Sequence, residues 1–107
     1  MIKTLPKIEG EMTFSESYKL TSTSIEHAYQ TLRNQYVTTE TAAFLRKNLP
    51  IQNTEDYFDD EIYLAIDYKY IDTASVVVTV FWHGGQDVHE IKLLNNQAKL
   101  TITNYAD

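Results

Sequence analysis

Apolar and polar residues alternate along much of the chain, and this alternation predicts β-strands. From Ile8 to Leu20 most even-numbered positions are apolar or aromatic, and the positions between them are polar. A period of two is typical of a strand with one face in the core and one in water. Gly10 and Glu16 interrupt the apolar face, so we expect a bulge or an edge position near one of them.

The next segment has helical spacing. Thr23-Ser24-Ile25-Glu26 reads as a capping box at a helix start. Apolar residues then recur at helical intervals: Ile25, Ala28, Tyr29, Leu32 and Tyr36. The β-branched run from Val37 to Thr39 weakens the helix, and Thr39 is a candidate cap for a second one that Pro50 would end. We expect either two short helices or one kinked helix across residues 24–48.

Alternation returns in the C-terminal half and predicts a meander of four strands. The predicted bounds are Glu61 to Ile71, Ser75 to His83, Asp87 to Leu94 and Lys99 to Tyr105. Gly84-Gly85 and Asn95-Asn96 read as two-residue hairpin turns, because glycine and asparagine accept the positive φ that such turns need. Val78 would then lie opposite Ile91, and Ile91 opposite Leu100.

The first hairpin of the meander has two candidate registers, and a slip of one residue would turn every side chain to the other face. A three-residue loop, Asp72 to Ala74, places the apolar series of both strands side by side. These residues are Ile62, Leu64, Ile66, Tyr68 and Tyr70 beside Val76, Val78, Val80 and Trp82. We adopt that register, which predicts one core face across four strands beneath the helical segment.

These elements predict an α+β fold with an antiparallel sheet of about five strands in the order β-α-β-β-β-β. One kinked helix or two short helices cover one face of the sheet. The order resembles that of the cystatin-like fold, although the Gln-Val-Gly hairpin motif of cystatin inhibitors is absent. A length of 107 residues suits a single domain, residues 1–107.

Composition restricts the cellular compartment in which the chain is expected and the types of chemistry that it can perform. The chain has no cysteine, which excludes disulfides and thiolate chemistry and suits a reducing compartment. Neither a secretory signal nor an apolar run long enough to span a membrane is present, so the cytoplasm is expected. Three glycines form no phosphate-cradling loop or nucleophile elbow. We therefore expect neither an enzyme nor a cofactor. Direct nucleic-acid binding is disfavoured because the nine bases are dispersed.

The acidic charge is concentrated in one stretch. Residues 55–72 hold seven acids and one base, so their net charge of −6 equals that of the whole chain. We place a candidate partner-binding segment in the loop after Pro50: Glu55, Asp56, Tyr57, Asp59, Asp60 and Glu61. A solvated acidic loop and a metal site are the alternatives, but the spacing is not that of an EF-hand. Four tyrosines, Tyr57, Tyr63, Tyr68 and Tyr70, interleave with the acids and would add contact area.

A second candidate surface lies on the outer face of the sheet. The adopted registers turn five apolar residues outward near its centre: Tyr63, Ala65, Val77, Phe81 and Val88. Phe81 would lie between Ala65 and Val88. Apolar residues grouped on a wet face mark an interface, unless another segment covers them as a second small core. A homodimer formed through this face is one alternative.

Histidine chemistry is a further alternative, in which His83 and His89 serve a small-ligand-binding or hydrolytic domain. The registers place them on opposite faces, with Asp87 beside His89 as a hydrogen-bonding partner. The leading hypothesis is a non-catalytic binding protein that engages a basic protein partner. It has a specific form, an inhibitor that presents carboxylates where a nucleic-acid-handling enzyme expects phosphates, by analogy with the composition of phage-encoded counter-defence proteins.

Overall fold

A computed structural model describes residues 2–3, 12–95 and 97–106 of the chain. The described strands are β1 (Ile2–Lys3), β2 (Met12–Leu20), β3 (Thr54–Tyr57), β4 (Tyr63–Asp72), β5 (Ser75–Trp82), β6 (Gly85–Leu94) and β7 (Gln97–Ala106). They form one antiparallel sheet in the order β1-β2-β7-β6-β5-β4-β3. With helices on one face, this confirms the predicted α+β class.

The helical segment consists of two short helices, one of the two predicted forms. Helix α1 (Ile25–Thr31) continues into a π-helical turn (Leu32–Tyr36), and α2 (Thr39–Phe44) follows. The capping prediction was one residue too early at α1, because Ser24 is the N-cap and its hydroxyl accepts the His27 N–H at 3.0 Å.

The second cap and the end of the segment also differ from the prediction. Thr38 caps α2, not Thr39. The helix ends at Phe44, before Pro50, because Leu45 is already extended. Glu26 does not close a capping box. Its carboxylate accepts N–H bonds from Gln30 and from Leu49, which ties α1 to the segment after α2.

The core lies between the helical segment and one face of the sheet. Its largest fully buried apolar side chains come from both layers: Tyr29, Leu32, Ile66, Tyr68, Val76, Val78, Val80, Ile91 and Leu100. Val80 is fully buried whereas Phe81 is exposed, so the alternation predicted for β5 is confirmed.

Two hairpin registers follow the prediction over most of their length. Ile91 lies opposite Leu100, as the Asn95-Asn96 turn requires. Tyr68 lies opposite Val78, as the three-residue loop requires. Strand β2 pairs with β7 from Met12 to Leu20 without a shift, so Glu16 forms no bulge, and the predicted interruption at Gly10 lies outside the described residues.

The β5–β6 register was wrong by two residues. Trp82 pairs with Gly85, so the turn is His83-Gly84, and Gly84 takes the left-handed φ of 99°. Val78 therefore lies opposite His89 instead of Ile91. A shift of two residues keeps every side chain on its predicted face. Gly85 stays in the ladder, where a Cβ atom would approach the Tyr105 carbonyl oxygen to 2.1 Å.

A β-bulge at the start of β4 changes which side chains face outward. Tyr63 pairs with Trp82 and Ala65 with Phe81, so Leu64 has no partner across the ladder. The extra residue turns Tyr63 to the core side, where its ring lies 4.6 Å from that of Phe44. Its hydroxyl lies 2.8 Å from Thr41 Oγ1. The prediction that Tyr63 faces outward and Leu64 inward was therefore wrong.

Candidate functional site

The outer face of the sheet carries most of the predicted apolar surface, without Tyr63. Val77, Phe81 and Val88 occupy outward positions of β5 and β6. Phe81 lies between Ala65 and Gln86, and Val88 lies opposite Thr79, because of the shifted register. Val77 and Val88 are half-buried, whereas Phe81 is 36% exposed. The exposed apolar area of this face therefore lies mainly on the side of the sheet where β5 pairs with β4.

A groove runs over that end of the outer face. We call it the outer groove. It encloses about 470 Å³, and its apolar walls are Tyr57, Leu64, Ala65 and Phe81. Tyr57 is 75% and Leu64 40% exposed. Tyr57 comes from β3, a strand that the sequence reading placed in a loop, and pairs there with Ala65.

Two carboxylates face each other at the edge of the outer groove. Glu55 on β3 lies directly opposite Asp67 on β4, and both line the groove. Partial burial, followed by the charge of Glu55, raises the pKa of Asp67, whereas Lys69 lowers it. Like charges directly opposite on a sheet destabilise the pair. A cation placed between these two carboxylates would relieve that repulsion.

The other acids of the predicted segment differ in how free they are. Asp56 accepts two hydrogen bonds from the Arg46 guanidinium, both at 2.8 Å, and this contact lowers the pKa of Asp56. Asp60 accepts the Ile62 and Tyr63 N–H groups at 2.9 Å, which lowers its pKa. Asp59 and Glu61 are exposed. Two of these four acids, Asp56 and Asp60, thus accept hydrogen bonds from groups within the chain.

The four interleaved tyrosines do not form one surface. Tyr57 alone among them is exposed, and its hydroxyl donates to the Glu55 carboxylate. Tyr68 is fully buried and its hydroxyl accepts the Arg46 N–H at 2.8 Å. Tyr63 and Tyr70 pack against the core. The expectation that all four supply contact area was therefore wrong.

A second cavity lies on the opposite face, between the sheet and the helical segment. We call it the inner cavity. It encloses about 260 Å³. Strands β2, β6 and β7 and the helical segment supply its walls: Glu16, Tyr18, Tyr36, Val37, Thr38, Thr41, Asp87, His89, Ile102 and Asn104. The π-helical turn brings Tyr36 over the sheet, with its ring 4.7 Å from that of Tyr18.

His89 is the buried titratable group of this cavity. It is 3% exposed, and its Nδ1 lies 2.9 Å from the Val78 carbonyl oxygen. Since a carbonyl only accepts, Nδ1 carries the proton and the neutral ring keeps Nε2 as an acceptor. Burial lowers the pKa of His89. The predicted His89–Asp87 hydrogen bond is replaced by two others: His89 Nδ1 bonds the Val78 carbonyl oxygen, and Asp87 accepts from Asn104 Nδ2 at 2.7 Å.

His83 does not lie on β5 as predicted, because the strand ends at Trp82, whereas His89 lies on β6. His83 sits exposed in the β5–β6 turn. Within residues 12–95 and 97–106, no three His, Asp or Glu side chains are grouped so as to hold a metal ion. None of the helices in the described part of the chain is long and apolar enough to cross a membrane. No family model, curated protein or solved structure gives a significant match to the chain.

Sequence reasoning missed most of the inner cavity. Glu16 was read as an interruption of an apolar face, and Asn104 was not considered. The signal that could have indicated the cavity is a group of polar residues at core-facing positions of neighbouring strands. These residues are Glu16, Asp87 and Asn104. The missed residues of the outer groove are Leu64, hidden by the bulge, and Asp67, which was expected on the outer face of the sheet but not as part of a site.

Proposed function

We propose that the chain is a non-catalytic binding module that engages a basic protein partner through the outer groove. The observation that carries the proposal is the Glu55–Asp67 pair, two opposed carboxylates beside an exposed apolar groove. A lysine or arginine of the partner would bind between the carboxylates. An apolar side chain next to it would fill the space between Tyr57, Leu64 and Phe81. We also propose that this binding takes place in the cytoplasm.

The charge of the groove favours a basic partner over a second copy of the chain. Its lining residues include two acids and no Lys or Arg among the described residues. Packing the groove of one copy on the same groove of another would bring these acids together, which costs free energy. A basic partner gains both the ion pairs and the apolar contact.

The same geometry narrows the idea of a nucleic-acid mimic. Imitating phosphates requires several free carboxylates along a surface, but Asp56 and Asp60 are held within the chain. We therefore restrict the proposal to recognition of a basic side chain beside an apolar one. Inhibition of a nucleic-acid-handling enzyme stays one form of it.

The test is capture from the native host, comparing variants that differ only at the groove. The double variant Glu55→Gln, Asp67→Asn removes both charges with little change of shape, and Phe81→Ser removes the apolar wall. Glu40→Gln, at an exposed acid on α2, is the matched control. A captured protein supports the proposal when the control retains it, both groove variants lose it, and 0.5 M salt (roughly a 4–5 Å Debye length) releases it.

Affinity measured on the isolated partner then gives the magnitude. We expect the double variant to weaken binding by about tenfold or more, because charge-assisted hydrogen bonds are each worth about 1.5–3 kcal/mol. Unchanged affinity and unchanged salt response in the double variant would refute the proposal. So would a dimer in sedimentation that Phe81→Glu abolishes, since it assigns the groove to self-association.

A further inference from the structure

We propose that the inner cavity is a binding site for a small organic cation, of the primary ammonium or amidinium class. This site is separate from the outer groove, because its residues lie on the opposite face of the sheet. The proposal rests on the polar residues that line the cavity and on the aromatic pair beside them.

The cavity has an excess of hydrogen-bond acceptors. Glu16 Oε2 accepts from the Tyr18 hydroxyl and Asp87 Oδ1 from Asn104 Nδ2. The second oxygen of each carboxylate and His89 Nε2 have no hydrogen-bond partner among the described residues. His89 is 3% exposed, whereas Glu16 and Asp87 are only half-buried. Since buried polar groups are nearly always hydrogen-bonded, the second ring nitrogen of His89, in a cavity that two carboxylates also line, points to a ligand that donates.

The charge of the cavity indicates that this donor is a cation. Its ten described lining residues include two acids and no Lys or Arg. His89 adds no positive charge near neutral pH, because burial favours its neutral form. The cavity thus combines negative charge with acceptors, which suits a protonated amine or amidine.

The aromatic pair and the volume define the body of the ligand. Tyr18 and Tyr36 present rings whose centroids lie 4.7 Å apart, beside the apolar side chains of Val37 and Ile102. Aromatic faces attract cations, and the apolar neighbours accommodate a hydrocarbon part. A volume of about 260 Å³ lies just below the range of roughly 300–1,000 Å³ for drug-sized ligands. The ligand is therefore small.

Three probes of the same shape separate charge from shape: benzamidinium, neutral benzamide and anionic benzoate. Binding would be followed by NMR through the imidazole signals of His89 and the ring signals of Tyr36 during titration with each probe at fixed salt. We expect saturable shifts with benzamidinium and at least about tenfold weaker binding of benzamide, the difference that one charge-assisted hydrogen bond makes. Benzoate should produce no saturable shift.

The variants test the named acceptors. Glu16→Gln with Asp87→Asn should weaken benzamidinium binding by about tenfold or more. Glu90→Gln, on the outward side of β6 next to His89, is the matched control and should leave it unchanged. Circular dichroism would verify that each variant is folded. Should the double variant unfold, the comparison of the three probes on the wild-type chain decides alone.

Two results would overturn the inference. Equal affinity for benzamidinium and benzamide would mean that the cavity only accommodates a ring. The absence of saturable shifts at His89 and Tyr36 with any probe, in a folded sample, would mean that the cavity binds no cation of this class. Neither result would affect the proposal for the outer groove.

Discussion

The burial of His89 predicts a defined loss of stability in mild acid. The folded chain resists protonation of this ring, since burial lowers its pKa, whereas the unfolded chain takes up the proton near pH 6.5. Where the unfolded state binds more protons, stability rises with pH. The contribution of the neutral ring is therefore complete above about pH 7 and is lost as the pH falls below 6.5 toward the pKa of the folded state.

The magnitude of this loss of stability follows from the binding of one proton. A difference of one bound proton changes the free energy of unfolding by about 1.4 kcal/mol per pH unit, which is the steepest slope that His89 can supply. Other titratable groups that line the same cavity are Glu16 and Tyr18 on β2, Tyr36 on the π-helical turn and Asp87 on β6. A comparison with a chain that lacks the His89 imidazole isolates its effect, because these other groups are the same in both chains.

The assay is urea unfolding followed by the fluorescence of Trp82 at several pH values from 5.5 to about 7.5, a range that spans the ordinary histidine pKa. We expect the free energy of unfolding to fall with decreasing pH in the wild-type chain. The slope should be smaller in His89→Gln, which cannot titrate. His83→Gln, at an exposed turn position, is the control and should keep the wild-type slope. Identical slopes in the wild type and His89→Gln would refute the reasoning.

Two further predictions concern the core. Tyr68→Phe removes the acceptor of the Arg46 backbone N–H at a fully buried position. It should cost about 1–3 kcal/mol of unfolding free energy. The control Tyr57→Phe, at the exposed edge, should change the unfolding free energy by less than about 0.5 kcal/mol, and equal losses in the two variants would contradict this prediction. Ile91→Ala, fully buried, should cost about 2–5 kcal/mol, whereas Ile71→Ala, 57% exposed, should cost little. Urea unfolding measures both, and a small loss at Ile91 would place the core elsewhere.

The sheet was largely predictable because its signal is periodic and repeated. The faces of β5, β6 and β7 follow directly from alternating residues, and even the wrong turn at Gly84-Gly85 preserved them, since the error was two residues. Which glycine enters the turn depends on a tertiary contact. Gly85 has to stay in the ladder close to the Tyr105 carbonyl, and β7 comes later in the chain.

The parts that failed depend on contacts that no local pattern reports. The bulge at Leu64 lets Tyr63 reach Phe44 and Thr41, which lie in a helix about twenty residues earlier. Strand β3 was hidden because its acids read as a solvated loop, although Glu55 and Asp56 alternate between an outward position and the Arg46 ion pair. The inner cavity needed the placement of the helical segment, which alternation along strands does not supply.

The bulge also makes the outward residue Leu64 independent of the core contact of Tyr63, whereas a regular strand would couple the two. In an unbroken ladder, Tyr63 and Leu64 would each have a cross-strand neighbour, and changing one would disturb the other. Here Leu64 has no partner in the ladder, while Tyr63 anchors the strand to α2. Substitution at residue 64 can therefore change the wall of the outer groove at little structural cost. Residue 64 is thus a position where the outer surface can change, by natural variation or by design, while the interior stays the same.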